Sequence, residues 1–336
     1  MSDLAVPFVA RPPGAPRPVV SPAAPGSFPT APSRPEFGPL AALVAEAGVT
    51  DVLVNGPGEL WCDRGGVLQR HPLDLDERGV RELAVRLVSL GGRHIDEASP
   101  TVDARLPGGI RVHAVLPPIS PSGTLLSIRI PQPASPTLEA LEAAGFFAAV
   151  PIDRVRELIR IRANILVTGA AGSGKTTLLA ALLSEASPRE RIVAIEDVAE
   201  LRPRHPHFVS LETRQPNLEG VGGLGLARLL REALRMRPDR LVLGECRGEE
   251  IRELLSALNT GHDGGGGTLH ANSLTDVPAR LEALGALAGL NATAVARQAV
   301  SAFGAVLHLE RVGGARRLAG LATLAVDGQD RLVIQS

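Results

Sequence analysis

Lysine is all but missing from this chain. Among 35 basic residues in 336, Lys175 is the single lysine and the rest are arginine. Cysteine is scarce too: Cys62 and Cys246 stand far apart in sequence and form no metal-ligand pair. Two lone cysteines with no secretory leader are expected of a reducing cytoplasm. No run of about eighteen uncharged apolar residues occurs, so no membrane-spanning helix is expected. The longest candidate, between Glu282 and Arg297, is too short and too rich in Ala and Gly. Net charge is also lacking, at −1, which argues against a strong nucleic-acid or anionic-membrane footprint.

What is present is enough apolar material, 44% of residues, for two domains with cores. Residues 1–36 carry ten prolines among Ala, Ser and Gly and are expected to form a disordered tail. Residues 37–130 predict a small α+β domain. Its helix over 77–90 places Val80, Leu83, Ala84, Leu87 and Leu90 on one face. Strands follow at 101–106, 110–115 and 124–130, with Gly108-Gly109 as a hairpin turn. Three prolines in Pro131–Pro136 mark a linker over 131–137. From 138 to 336, strands at 191–195, 207–211, 240–244 and 267–270 alternate with helices near 224–236, 247–259 and 275–288. That alternation predicts a mostly parallel α/β sheet.

The sharpest motif is Ile165-Leu166-Val167-Thr168 followed by Gly169-Ala170-Ala171-Gly172-Ser173-Gly174-Lys175-Thr176-Thr177. An apolar strand runs into a glycine-rich turn and then a helix, the pattern of a Walker A phosphate loop. Glycines let consecutive N–H groups face one anion, and the helix start adds its positive end. Lys175 is placed to reach β- and γ-phosphates and Thr176 to hold Mg²⁺. A compact ammonium suits a phosphate cradle that a planar guanidinium would overfill, which fits the retention of lysine at this one position.

Four polar clusters stand at or just beyond strand ends, where open α/β sheets bind ligands. Glu196-Asp197 can hold Mg²⁺ through water, or they are ordinary loop acids. Glu245, after Leu241-Val242-Leu243-Gly244, is the candidate to polarise water; the alternative is a structural ion pair with Arg247. His262 and His270, eight residues apart across four glycines, match no metal template and read as phosphate sensors, with glycine permitting a shift. A structural role for His262 stays open. Of Arg202, Arg214, Arg235 and Arg237, the first two are preferred for stabilising phosphoryl charge because they flank a predicted edge strand.

Taken together, these boxes resemble the type II/type IV secretion ATPase superfamily, the hexameric motors of secretion systems and pili. The resemblance runs from about 37 to 311. It rests on the Walker A loop at 169–176, the acidic box ending in Glu196-Asp197, Arg235–Arg240 leading to Gly244-Glu245, and the histidine box at 260–273. The wording of the boxes is most similar to the tight-adherence (Tad/Flp) pilus and conjugal-transfer-associated branch. Membership implies a RecA-like P-loop NTPase domain behind the α+β domain and a homo-hexameric ring using ATP and Mg²⁺. It also implies platform proteins at the bacterial inner membrane, with the chain cytoplasmic and peripheral to that membrane; the near-neutral charge makes a direct nucleic-acid partner unexpected. It makes Glu245 the catalytic glutamate, assisted by Glu196, with Arg202 and Arg214 approaching the phosphates. Arg111 and Arg129 reach the nucleotide from the amino-terminal domain, with His270 beside the chemistry and His262 beside the nucleotide. Thr176, Glu196 and Asp197 serve Mg²⁺. The four-cysteine zinc insertion of some members is absent, and Gly264 to Gly267 replaces the more usual Gly-Ser-large-small run. A conjugal DNA-transfer motor and a nucleotide-sensing scaffold without turnover are the alternatives.

Overall fold

The computed structural model describes residues 34–64, 67–72, 74–131, 135–214 and 222–335. The expected disordered tail lies outside these residues up to position 33, as do residues 132–134 of the expected linker.

The amino-terminal unit starts with Phe37 and Leu40, both fully buried, in a 3-10 turn at Pro35–Leu40 that leads into α1 (Ala41–Ala45). Six strands follow: β1 (Val49–Val54), β2 (Leu60–Arg64), β3 (Val67–His71), β4 (Thr101–Arg105), β5 (Arg111–Val115) and β6 (Leu125–Arg129). They form one antiparallel sheet in the order β3-β2-β1-β6-β5-β4. Helix α2 (Glu77–Leu90) covers it with Val80, Leu83, Ala84, Leu87 and Val88, whereas Leu90 at the helix's last position is 53% exposed. Asp76 caps α2 by accepting from the Gly79 N–H at 2.8 Å. Glu77 ties the helix start to the sheet, accepting from the Thr124 hydroxyl and N–H. The Gly108-Gly109 turn joins β4 to β5 with both glycines at positive φ, as its sequence demands.

The second unit is built on eight strands: β7 (Ile165–Gly169), β8 (Ile192–Glu196), β9 (Phe208–Glu212), β10 (Arg240–Cys246), β11 (Gly266–His270), β12 (Ala305–Val312), β13 (Ala315–Val326) and β14 (Leu332–Gln335). Six run parallel in the order β12-β7-β11-β10-β8-β9, and β13 and β14 add antiparallel beside β12. β7 and β8 are buried at every position, as strands covered on both faces must be. One face packs α3 (Leu138–Ala143), α4 (Ile152–Arg160) and α5 (Lys175–Ser184); the other packs α6 (Leu226–Ala233), α7 (Ile251–Leu258), α8 (Val277–Leu287) and α9 (Ala292–Ala302). The apolar stretch from Glu282 to Arg297 is therefore two helices, divided where Gly289 takes φ +72°.

Strand β11 explains the four glycines. A Cβ on Gly265 would lie 2.3 Å from the Leu241 carbonyl oxygen, on Gly266 1.9 Å from that of Ile165, and on Gly267 2.7 Å from that of Leu243. Gly264 would meet the Arg240 guanidinium at 2.7 Å, and that side chain is itself 2% exposed and paired to Glu190. The run is thus a packing demand between β7 and β10. Gly266→Ala is expected to destabilise the chain by at least about 2 kcal/mol, read as a lower thermal midpoint. An unchanged midpoint would contradict the packing argument.

Candidate active site

The parallel strands bring Gly169, Glu196, Glu245 and His270 to one edge because each stands at or near the carboxyl end of its strand. β7 ends at Gly169, whose φ of +149° and contact with the Leu309 carbonyl leave no room for a side chain. Gly172 and Gly174 also take positive φ, +70° and +98°, and Gly174 caps α5 in a left-handed conformation. α5 then starts at Lys175, so its first N–H groups, including those of Thr176 and Thr177, lack intrahelical acceptors. Lys175 is 9% exposed, with Nζ donating at 3.0 Å to the carbonyls of both Gly169 and Ala170. Burial pushes its ammonium pKa down, and the charge of Glu245 is the main opposing influence. The Ser173 hydroxyl is buried with no hydrogen-bond partner among the described residues. Two carbonyls holding a cation, an orphaned hydroxyl and a free helix start are a cradle suited to phosphate.

Glu196 ends β8 at 3% exposure. Its Oε1 accepts from the N–H groups of Glu200 and Leu201, both at 3.0 Å, while Oε2 is buried without a partner among the described residues. Burial raises its pKa above the usual carboxylate range. Its side chain fills the space above Gly244, where a Cβ would sit 2.5 Å from the Glu196 Cγ. Gly244 is therefore glycine because a carboxylate from the neighbouring strand occupies its side-chain space. Its carbonyl accepts from Thr268 at 2.6 Å, which ties β10 to β11.

Glu245 is a quarter exposed and pairs with Arg247 at 2.5 Å, so the ion pair weighed from the sequence is present. Arg247 is itself 64% exposed, which makes the pair open to solvent rather than structural core. Asp197 lies within the field of Glu245, Glu250 and Arg247, and burial raises its carboxyl pKa. Among the described residues no three His, Cys, Asp or Glu side chains could hold a metal by themselves. Mg²⁺ binds through one or two protein groups plus substrate phosphates. Thr176, the unpartnered Glu196 Oε2 and Asp197 are the groups that fit it.

The histidine box divides. His270 ends β11 directly opposite Gly169. His262 precedes β11, at the amino edge of the sheet, where its Nδ1 lies 3.2 Å from the Ala257 carbonyl. The five-residue strand between them puts His262 on the far side of the sheet from the phosphate loop, a correction to its expected place beside the nucleotide. Arg235 and Arg237 also lie at the amino edge, ahead of β10. Arg202 and Arg214 do flank the edge strand β9. That strand is four places from β7, about 19 Å at ~4.8 Å per strand, so Arg214 does not reach its own phosphate loop.

Arg111 and Arg129, opposite one another on β5 and β6, both turn to Glu200, at 3.1 and 3.9 Å. Arg105 pairs with Glu212, and Arg202 packs on Gly109. The amino-terminal sheet thus grips the segment between β8 and β9, whose backbone Glu196 holds. An open cleft of about 720 Å³ lies there, lined by Arg105, Gly108, Leu201, Arg202, Arg204 and Phe208.

Sequence reading missed His308. It is 3% exposed on β12, opposite Thr168, and its Nδ1 lies 2.9 Å from the Thr168 hydroxyl. Among the described residues its Nε2 is buried without a hydrogen-bond partner. Nothing in an apolar run such as Val306-Leu307-His308-Leu309 signals this role, because the partner belongs to a strand about 140 residues earlier.

A RecA-like P-loop NTPase is the class that this architecture defines: a glycine-rich strand–loop–helix on a mostly parallel sheet, behind a smaller α+β domain. Residues 34–308 match the family model described as type II/IV secretion system protein, and the chain belongs to that family. It is 50% identical over 295 residues to a putative conjugal transfer protein of Mycobacterium tuberculosis, covering 85% of this chain and 84% of that one. It is 38% identical to the type IV secretion system protein PtlH of Bordetella pertussis (67% and 73% covered) and 32% identical to VirB11 of Brucella suis (70% and 72%). In fold it is similar to the pilus retraction motor PilT with bound ADP, at TM-score 0.59 and 22% identity over 88% of this chain and 82% of that one. The Legionella pneumophila ATPase DotB gives TM-score 0.56 and 20% identity over 86% and 80%. Among the described residues no helix is long and apolar enough to cross a membrane.

Burial lowers the His308 pKa, so the folded chain resists the proton that the unfolded chain binds below about pH 6.5. The unfolded state then binds more protons, and stability falls as pH drops through that value. His308→Gln, which can still bond Thr168, is expected to flatten this dependence. The check is the thermal midpoint of both chains from about pH 8 to about pH 5.5; parallel curves would refute it.

Proposed function

We propose that the chain is a Mg²⁺-dependent ATPase working as a hexameric ring, which powers tight-adherence (Tad/Flp) pilus assembly or protein secretion at the bacterial inner membrane. The observation that carries this reading is the meeting of Lys175, Glu245 and Glu196 at one sheet edge, with Glu196 also holding the segment that the amino-terminal domain grips. Lys175 and the N–H groups at the start of α5 bind the phosphate chain. Glu245 takes a proton from the water that attacks the γ-phosphorus, and the bond to the β–γ bridging oxygen breaks to give ADP and phosphate. Bound Mg²⁺ supplies charge neutralisation at the phosphates, with Thr176, Glu196 and Asp197 as its protein groups.

Arg202 and Arg214 act on a neighbouring subunit's nucleotide in this reading, since β9 is remote from the chain's own loop and lies at the sheet's edge. Arg111 and Arg129, now on Glu200, are the groups through which nucleotide state alters the set of the amino-terminal domain. Platform proteins of the inner membrane are the partners, and the chain is cytoplasmic and peripheral to that membrane. A conjugal DNA-transfer motor is the second reading, favoured by the name of the Mycobacterium tuberculosis relative.

Glu245→Gln is expected to cut Mg²⁺-dependent ATP hydrolysis by on the order of 10²-fold or more while ATP still binds, measured by phosphate release and equilibrium binding. Turnover equal to that of the unaltered chain would remove Glu245 from its role.

A further inference from the structure

The β12–β13 hairpin lies mostly past the family match, which ends at residue 308. β12 keeps pace with β7 as far as Leu309 opposite Gly169, then continues three residues to Val312, about 10 Å beyond at ~3.3 Å per residue. Gly313 and Gly314, both at positive φ, turn the chain back. The hairpin therefore overhangs the phosphate loop.

Its two faces carry different charges. Residues opposite one another on antiparallel strands share a face. On one face Glu310 stands opposite Arg317 and the two pair at 3.1 Å. On the other, Arg311 stands opposite Arg316. Like charges so placed repel, and among the described residues neither arginine has an ion pair or side-chain hydrogen bond. The Arg316 side chain lies across Gly174: a Cβ there would sit 3.3 Å from the Arg316 Cδ. Gly174 directly precedes Lys175 and the positive end of α5. Arg316 thus lies, with the like charge of Arg311 opposite it, beside the residue that precedes Lys175 and the start of α5, an arrangement that an anion relieves.

We propose that Arg316, with Arg311 beside it, is a ligand for the α- and β-phosphates of a nucleotide bound by the same subunit. This rests on the reading of 169–176 as a nucleotide-binding loop. The backbone of such a loop cradles the α- and β-phosphates while its lysine serves the β- and γ-phosphates, and Gly174 belongs to the backbone part. ATP and ADP share that part, so the arginines strengthen binding of both and leave the preference between them unchanged. A guanidinium fork takes two phosphate oxygens at once, which gives arginine a role here that the single lysine does not fill.

The test is equilibrium binding of ATP and of ADP, with Mg²⁺, to the full chain and to Arg316→Ala, Arg316→Lys and Arg311→Ala/Arg316→Ala. Arg316→Ala is expected to weaken both nucleotides by about tenfold, to lower kcat/KM through KM, and to reduce the salt sensitivity of binding. Arg316→Lys recovers part of the loss. Thermal midpoints without nucleotide are expected to stay level or rise, since a repulsive pair has been removed; Arg316→Gln repeats the measurement at nearly full side-chain length. Unchanged affinity in the double variant overturns the proposal, as does weakening confined to ATP, which would place the group at the γ-phosphate. Lys175→Ala separates the two levels of the argument. If it loses binding while Arg316→Ala does not, only the role of Arg316 fails; if it binds ATP normally, the nucleotide reading itself fails.

Discussion

A single ammonium held among backbone carbonyls organises the carboxyl edge of this molecule. Lys175 is nearly buried, and burial works against its charge; two carbonyl dipoles and the field of Glu245 hold it in place. Those carbonyls belong to the end of β7 and the start of the glycine turn, so the position of the charge depends on where β7 stops. The stop depends in turn on close contact with β12, which accepts no side chain at Gly169. Backbone packing in the middle of the sheet thereby sets the geometry of one cation.

Glu196 extends that constraint outward. One carboxylate oxygen holds the backbone of Glu200 and Leu201, and Glu200 in turn receives Arg111 and Arg129 from the other domain. The second oxygen has no partner among the described residues. A buried acceptor that gains a cation or a proton strains or relaxes the loop it holds, and that loop is the one the amino-terminal sheet grips. Surface pairs such as Arg111–Glu200 contribute only about 1 kcal/mol or less each, so they bias domain position without locking it.

That the phosphate loop, the acidic box, Gly244-Glu245 and His270 stand at strand ends was legible because glycine turns and polar residues punctuate apolar strands. The five parallel strands expected from the sequence came within a residue or two for the same reason. β3 was passed over since an outer strand with mostly exposed side chains carries no alternation. Everything after residue 288 was passed over because an Ala- and Gly-rich run looks uniform in sequence, although Gly289 divides it. His262 and His270 look equivalent when counted along the chain, yet a strand carries one away from the other. Nor does any spacing disclose that Glu196 stands over Gly244, or that Arg316 folds back across Gly174, because both contacts join segments far apart in sequence.

The contact between Glu196 and Gly244 makes two positions behave as one. A carboxylate can enter that space from β8 or from β10, but two side chains cannot share it. A lineage that places an acid on β10, as other P-loop strands do, must first shorten the residue on β8, and the reverse change needs glycine in place beforehand. Substitutions at 196 and 244 are therefore expected to be non-additive, and either single exchange gives a protein with an overfilled or an empty site.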